Sequence, residues 1–278
     1  MNRREITDRL VAAIEGGNIP WRKPFASFAH KNHFSKTIYR GVNQLLLSLN
    51  INASPHWGTF HQWKNAGCSV RKGAKASPVV FYAHVEKIND DGEEINYRLL
   101  RHYPVFHAGQ VDDPNGKFKS ILEQKIETNF ETAARIIEHC GAEIRIGGNL
   151  AFYVPSENYI RIPHSGQFHS EEARLATLFH ELGHWGDRNF LGRQPTPDKS
   201  SPEHAFKELV AEIAACFLCQ SCGVPTEWEN HESYIASWLQ SMKNDTAYIL
   251  EASRYAAKIS DAILQRACVR NNLETDYA

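Results

Sequence analysis

One segment constrains this chain more than any other: SEEARLATLFHELGHWGD, residues 170–187. Ser170 can cap a helix, and Glu171 and Glu172 suit its first turn. Leu175, Leu178, Phe179 and Leu182 recur at helical spacing, so this helix faces a core. His180 and His184 lie four apart and therefore share a face. Two imidazoles on a core-facing helix suit Zn²⁺, which takes His nitrogens at about 2.0–2.1 Å and keeps a position open for water in catalytic sites. Glu181 lies beside that face, where it can take a proton from such a water. An ordinary amphipathic helix with a buried His pair is the competing reading. A second segment, SPEHAFKELVAEIAACFL (201–218), weighs against it. Ser201 caps, Pro202 fits the first turn, and Glu208 and Glu212 fall on a face otherwise made of Ala, Val, Ile and Phe. A carboxylate there is costly unless paired or metal-bound. Two of them suggest one ligand and one partner that orients a ligand His.

Composition allows one large domain or two ordinary ones: 278 residues, 42% of them hydrophobic. No apolar run approaches the roughly 20 residues of a membrane helix. The first residues lack the pattern of a secretory signal, so a cytoplasmic protein is expected. Six cysteines, three of them in CFLCQSC (216–222), sit in an apolar helical pattern and read as reduced core thiols. The net charge of −1 conceals a split. Residues 1–85 hold twelve Lys and Arg against three Asp and Glu, a net of +9, which leaves −10 for the remainder. The basic half points to a polyanion.

That half interleaves aromatic rings with cations, the mixture single-strand binders use to stack bases and follow phosphates. The candidates for DNA contact are Trp21, Arg22, Lys23, Tyr39, Arg40, Arg71, Lys72 and Lys75, whereas Trp57, Phe60 and Trp63, three apart, read as core. Helices are expected near 3–15, 41–49 and 59–66, then a hairpin of SPVVFYAHVEKI with INYRLLRHYPVF. DDPNGKFK (112–119) is the candidate linker. A helix up to Gly141, three short strands in 142–163 and four further helices complete an α+β chain. LAFYVPSENYIRIP is expected beside the metal, with Tyr234 or His231 as a donor to an oxyanion.

The HELGH helix followed by ELVAE resembles the glutamate-type zincins, which implies Glu208 as third ligand and Glu212 as its supporting carboxylate. Through IPWRKPF, YRGVNQLLL, WGTFHQWKNAGCSVRKGAKASPVVFY and YPVFHAGQ in the first half, and AFYVPSENYIRIP and YIASWLQSMKND in the second, the chain resembles the ArdC antirestriction family. The resemblance implies a domain over 1–115 that binds single-stranded DNA, and over 125–278 a mainly helical zincin-like domain with a small sheet. It also implies one divalent metal, Zn²⁺ by ligand type with Mn²⁺ or another ion able to enter, and protection of incoming plasmid or phage DNA. An endopeptidase targeted to a protein substrate by its DNA-binding half is the alternative, and a metal-free scaffold a third. The chain departs from the family pattern at Lys207, where Glu is expected, and in a short 188–203 connection.

Overall fold

Helix caps written in the sequence become helix ends. Asn2 accepts from the Glu5 amide while Glu5 accepts from that of Asn2, and this capping box opens α1 (Arg3–Glu15). The computed structural model describes residues 1–22, 28–50, 53–88, 94–123, 127–226 and 232–268. After α1 come β1 (Lys31–Asn32), α2 (Val42–Ser48), β2 (His56–Gly58), α3 (Phe60–Asn65) and β3 (Ser69–Val70). A second capping box, Thr59 with Gln62, starts α3. The expected hairpin is β4 (Ser77–Ile88) and β5 (Glu94–His107), antiparallel from Ser77 opposite Val105 to Ile88 opposite Glu94. The turn residues 89–93 lie outside the described residues. The sheet order is β1-β2-β5-β4.

Residues 112–119 do not form a free linker. β6 (Val111–Asp112) pairs with β3, and Asp113 accepts from the Phe118 amide. Phe118 then packs edge-on to Trp63 and Phe34. The segment folds back because Phe118 supplies apolar cover that α3 needs. A short α4 (Lys119–Leu122) follows.

The second part holds α5 (Phe130–His139) and β7 (Glu143–Ile146), β8 (Phe152–Val154) and β9 (Tyr159–Ile162), ordered β7-β9-β8. Then come α6 (Glu171–Leu191), α7 (Pro202–Cys222), α8 (Glu232–Asn244) and α9 (Tyr248–Arg266). Ser170 accepts from the Ala173 amide, Ser201 from that of His204, and Gly192 and Gly223 close α6 and α7 with positive φ. The whole is a mixed α+β fold: a sheet-bearing first part, then a mainly helical one with a small sheet. No helix of the described residues is long and apolar enough to cross a membrane.

One core runs through both parts. Ile6, Leu10, Val11 and Ile14 of α1, Trp21, and Leu45 and Leu46 of α2 share a buried cluster with Leu178, Phe179, Ile213, Trp238 and Ile259. α1 lies on α8, and α2 on α9. The apolar stripe of α1 is thus covered by the second part of the chain. Two smaller clusters, around Trp57 with Val79 and Val105, and around Trp63 with Val111, hold the first sheet.

Candidate metal centre

The site exists because α6 and α7 cross closely. Gly183 sits at the crossing, where an added Cβ would stand 2.8 Å from the Ala211 Cα. A Gly facing an Ala lets the two backbones approach, and α7 then presents Glu208 to the histidine face of α6. The His180 and His184 Nε2 atoms lie 3.1 Å apart. Glu208 Oε2 is 3.5 Å from His180 Nε2, and Glu208 Oε1 is 3.4 Å from His184 Nε2. Ligand atoms about 2.05 Å from a tetrahedral ion stand about 3.3 Å from one another. The three separations match that spacing, and two imidazoles with one carboxylate are a zinc-type donor set. The residues present therefore fit a divalent ion.

The electrostatics agree. Burial opposes a charge on His184, but the Glu208 carboxylate beside it outweighs that and lifts its pKa to about 9. Burial alone would raise the Glu208 pKa, yet His184 and His180 reverse this and hold it well below the usual carboxylate range. Three groups drawn together so strongly would give up their mutual pairing to a shared cation.

These side chains line one wall of a cleft of about 780 Å³. Glu181 lines it too, and its Oε2 accepts from the Tyr153 amide at 2.8 Å. Tyr153 lies on β8, an edge strand of its sheet, and lines the same cleft as the histidines, so the expected hairpin does flank them. Tyr234 also lines the cleft, while His231 lies outside the described residues. His204 escaped the sequence reading. Its Nε2 lies 3.4 Å from Glu208 Oε1, and its ring packs edge-on to Tyr234. Its position four residues before Glu208 was the available signal. Lys207, the departure from the family pattern, is buried beside the cleft. It donates to Gln194 O and Thr196 Oγ1 and pairs with Glu203, which pins the short 188–203 connection at the rim.

Glu212, one turn beyond Glu208, is fully buried. It accepts from Trp21 Nε1 at 2.6 Å and from Arg22 Nη2 at 3.0 Å, and burial raises its pKa against the pull of the Arg22 guanidinium. This corrects the expectation for Trp21: an indole buried against α7 offers no face to a base. Other DNA candidates are also committed within the chain. Arg22 pairs with Glu212, Arg40 with Asp261 at 2.9 Å, and Arg71 with Asp112 at 2.8 Å. Tyr39 packs half-buried against the Trp57 cluster. Lys72 and Lys75 are exposed, and Lys23 lies outside the described residues. Trp57 and Trp63 are core, but Phe60, the first residue of α3, is exposed. Cys216, Cys219 and Cys222 are buried and in no disulfide among the described residues, and burial pushes the Cys222 thiol up to about 12.

Comparison with known proteins gives two family matches. Residues 1–107 match the N-terminal domain of anti-restriction factor ArdC, and residues 131–255 match a zincin-like metallopeptidase. The metal-free crystal structure of the antirestriction protein ArdC from plasmid R388 is 32% identical, with a TM-score of 0.81 over 96% of this chain and 97% of that one. Its Mn(II)-bound structure aligns with a TM-score of 0.78, covering 99% and 100% of the two chains. An uncharacterized protein of Sinorhizobium fredii, y4eC, is 32% identical over 92% of this chain and 89% of its own length. A DNA primase TraC of Escherichia coli is 32% identical over 94% of this chain, which spans only 27% of that protein.

Proposed function

Because the chain belongs to the ArdC antirestriction family, we propose that it binds single-stranded DNA and protects incoming plasmid or phage DNA from restriction in the cytoplasm. In this reading residues 1–115 hold the DNA and residues 125–278 hold one divalent ion, Zn²⁺ by ligand type, through His180, His184 and Glu208. One observation carries it: residues 1–85, which lie within the anti-restriction match, carry a net charge of +9, whereas residues 86–278 carry −10 and would repel a polyanion.

With Arg22, Arg40 and Arg71 paired, phosphates fall to cations with no acidic partner among the described residues. Lys72 and Lys75 are exposed, and Lys36 projects from the turn after β1. Lys31 lies close enough to Lys36 that burial and that neighbouring charge lower its pKa. Exposed rings at Phe60, Tyr82 and Tyr103 offer stacking faces. The test is binding of the full chain to oligonucleotides at several salt concentrations. Single strands should be preferred over duplex, with a log–log salt slope of about −0.7 per phosphate contacted. Replacing Lys31, Lys36, Lys72 and Lys75 with Gln should flatten that slope. Equal affinity for duplex and single strand refutes the reading.

The cleft favours a second reading, an endopeptidase acting on a protein substrate. When bound, the ion supplies Lewis acidity at the histidine wall. Glu181, fixed by the Tyr153 amide, faces the same space and is placed to accept a proton from a water there and return it to a leaving amine. The edge strand β8 offers backbone groups along which an extended peptide can lie. Glu181→Gln separates the readings: intact protection of a restriction-sensitive plasmid during transfer favours binding alone, and lost protection favours proteolysis.

A further inference from the structure

A carboxylate as deeply buried as Glu212 is costly unless its oxygens are held. Both are held by the distant first part of the chain: Trp21 Nε1 donates to Oε2 at 2.6 Å and Arg22 Nη2 to Oε1 at 3.0 Å. Two donors on two oxygens fix the plane of the carboxylate as well as its place. Glu212 lies one turn along α7 from Glu208. The same indole reaches the cleft by a second route. Trp21 packs edge-on to Trp238 with centroids 5.9 Å apart, and Trp238 stacks on Tyr234 at 5.9 Å. Trp238 Nε1 donates to Ala205 O at 2.7 Å, in the α7 turn that carries His204. Tyr234 packs on His204, which abuts Glu208.

Resting on the metal-centre reading above, we propose that Trp21 and Arg22 are positioning residues: by clamping Glu212 they hold α7 and its Glu208 in register with the histidines of α6, and so couple the ion's affinity to the first half of the chain. The coupling is reciprocal, since whatever tightens the ion must also tighten the segment that clamps it. Groups that hold metal ligands in place from behind typically change metal affinity about 10–100-fold when lost.

The test uses the full chain, with Zn²⁺ affinity measured by chelator competition and Co²⁺ as a spectroscopic probe. Trp21→Phe keeps an aromatic ring but no donor, and Arg22→Gln removes the cation. Each should weaken Zn²⁺ binding about 10–100-fold and shift the visible Co²⁺ bands, while Arg22→Lys should restore most of the affinity. Amide exchange at Ile19, Trp21 and Arg22 should slow when Zn²⁺ is added. Arg145→Gln, which breaks exposed pairs with Glu143 and Glu157 and a cation–π contact with Tyr159 but touches neither Glu212 nor Glu208, should leave Zn²⁺ affinity and the Co²⁺ bands unchanged. Folded variants with wild-type affinity and unshifted Co²⁺ bands overturn the proposal. Should the Trp21 and Arg22 variants fail to fold, Glu212→Gln carries the same test, because it keeps the shape and removes the charge; wild-type affinity there also overturns the proposal. Wild-type protein that takes up no Zn²⁺ instead brings down the metal-centre reading.

Discussion

Glu208 and Glu212 are chemically identical and one turn apart, yet their surroundings separate them. Glu208 faces three imidazoles, whereas Glu212 faces an indole and a guanidinium. Glu208→Ala should therefore abolish stoichiometric Zn²⁺ retention through a desalting column, while Glu212→Ala keeps a weakened ion. The opposite order in metal analysis would exchange their roles. His184 makes a second expectation. Its pKa is raised from 6.5 to about 9, so the imidazole is charged at neutral pH before an ion binds. That attraction stabilises the ion-free fold fully below its ordinary pKa of 6.5, and the contribution is lost as pH rises through about 9. A ligand imidazole must be neutral, so at pH 7.5 Zn²⁺ should displace about one proton from it. Titration calorimetry in buffers of different ionisation enthalpy counts that proton, and affinity that does not rise between pH 7 and 9 contradicts the expectation.

Among the elements, the α6–α7 crossing decides whether the site forms. A methyl group at Gly183 would meet the Ala211 backbone, with Cα at 2.8 Å and O at 2.9 Å, and backbone does not give way as a flexible side chain does. Gly183→Ala should therefore cost about 1–3 kcal/mol, the usual range for overpacking, read as a lowered melting temperature. It should also weaken Zn²⁺ binding, because α7 retreats with Glu208. Ser201→Ala removes the α7 cap and should cost about 1 kcal/mol with Zn²⁺ affinity little changed. Both helices were legible in the sequence because their signals are local: Ser170, Ser201 and Pro202 at the starts, and histidines four apart. Glu208 stood out as a charge on an apolar face. Trp21 was not legible. It follows Pro20 and precedes Arg22 and Lys23, which looks like a loop that meets phosphate, and its partner lies 191 residues away. Local pattern carries no term for a pairing that distant. Arg40 misled in the same way, since Asp261 sits on the last helix.

The whole molecule behaves as the sum of neither half. A fragment ending near Asp112 would expose Ile6, Leu10, Val11, Ile14, Trp21, Leu45 and Leu46, which the second part covers. Each buried side chain of this kind is worth about 1.5–3 kcal/mol, comparable in sum to the stability of a typical domain. Thermal unfolding of the full chain should accordingly show a single calorimetric transition, and the fragment should not show the cooperative melt of an independent domain; two separated transitions would mean the shared cluster contributes little. The shared core also bears on how such a sequence can change by recombination. Relatives here differ at about two positions in three. A crossover placed in the connection between the two parts would set α1 from one parent against α8 from another, and Trp21 against an unfamiliar partner. The seam that looks safest on a linear map would then be among the least tolerant places to splice, and viable hybrids should inherit α1, Trp21, α7 and α8 together.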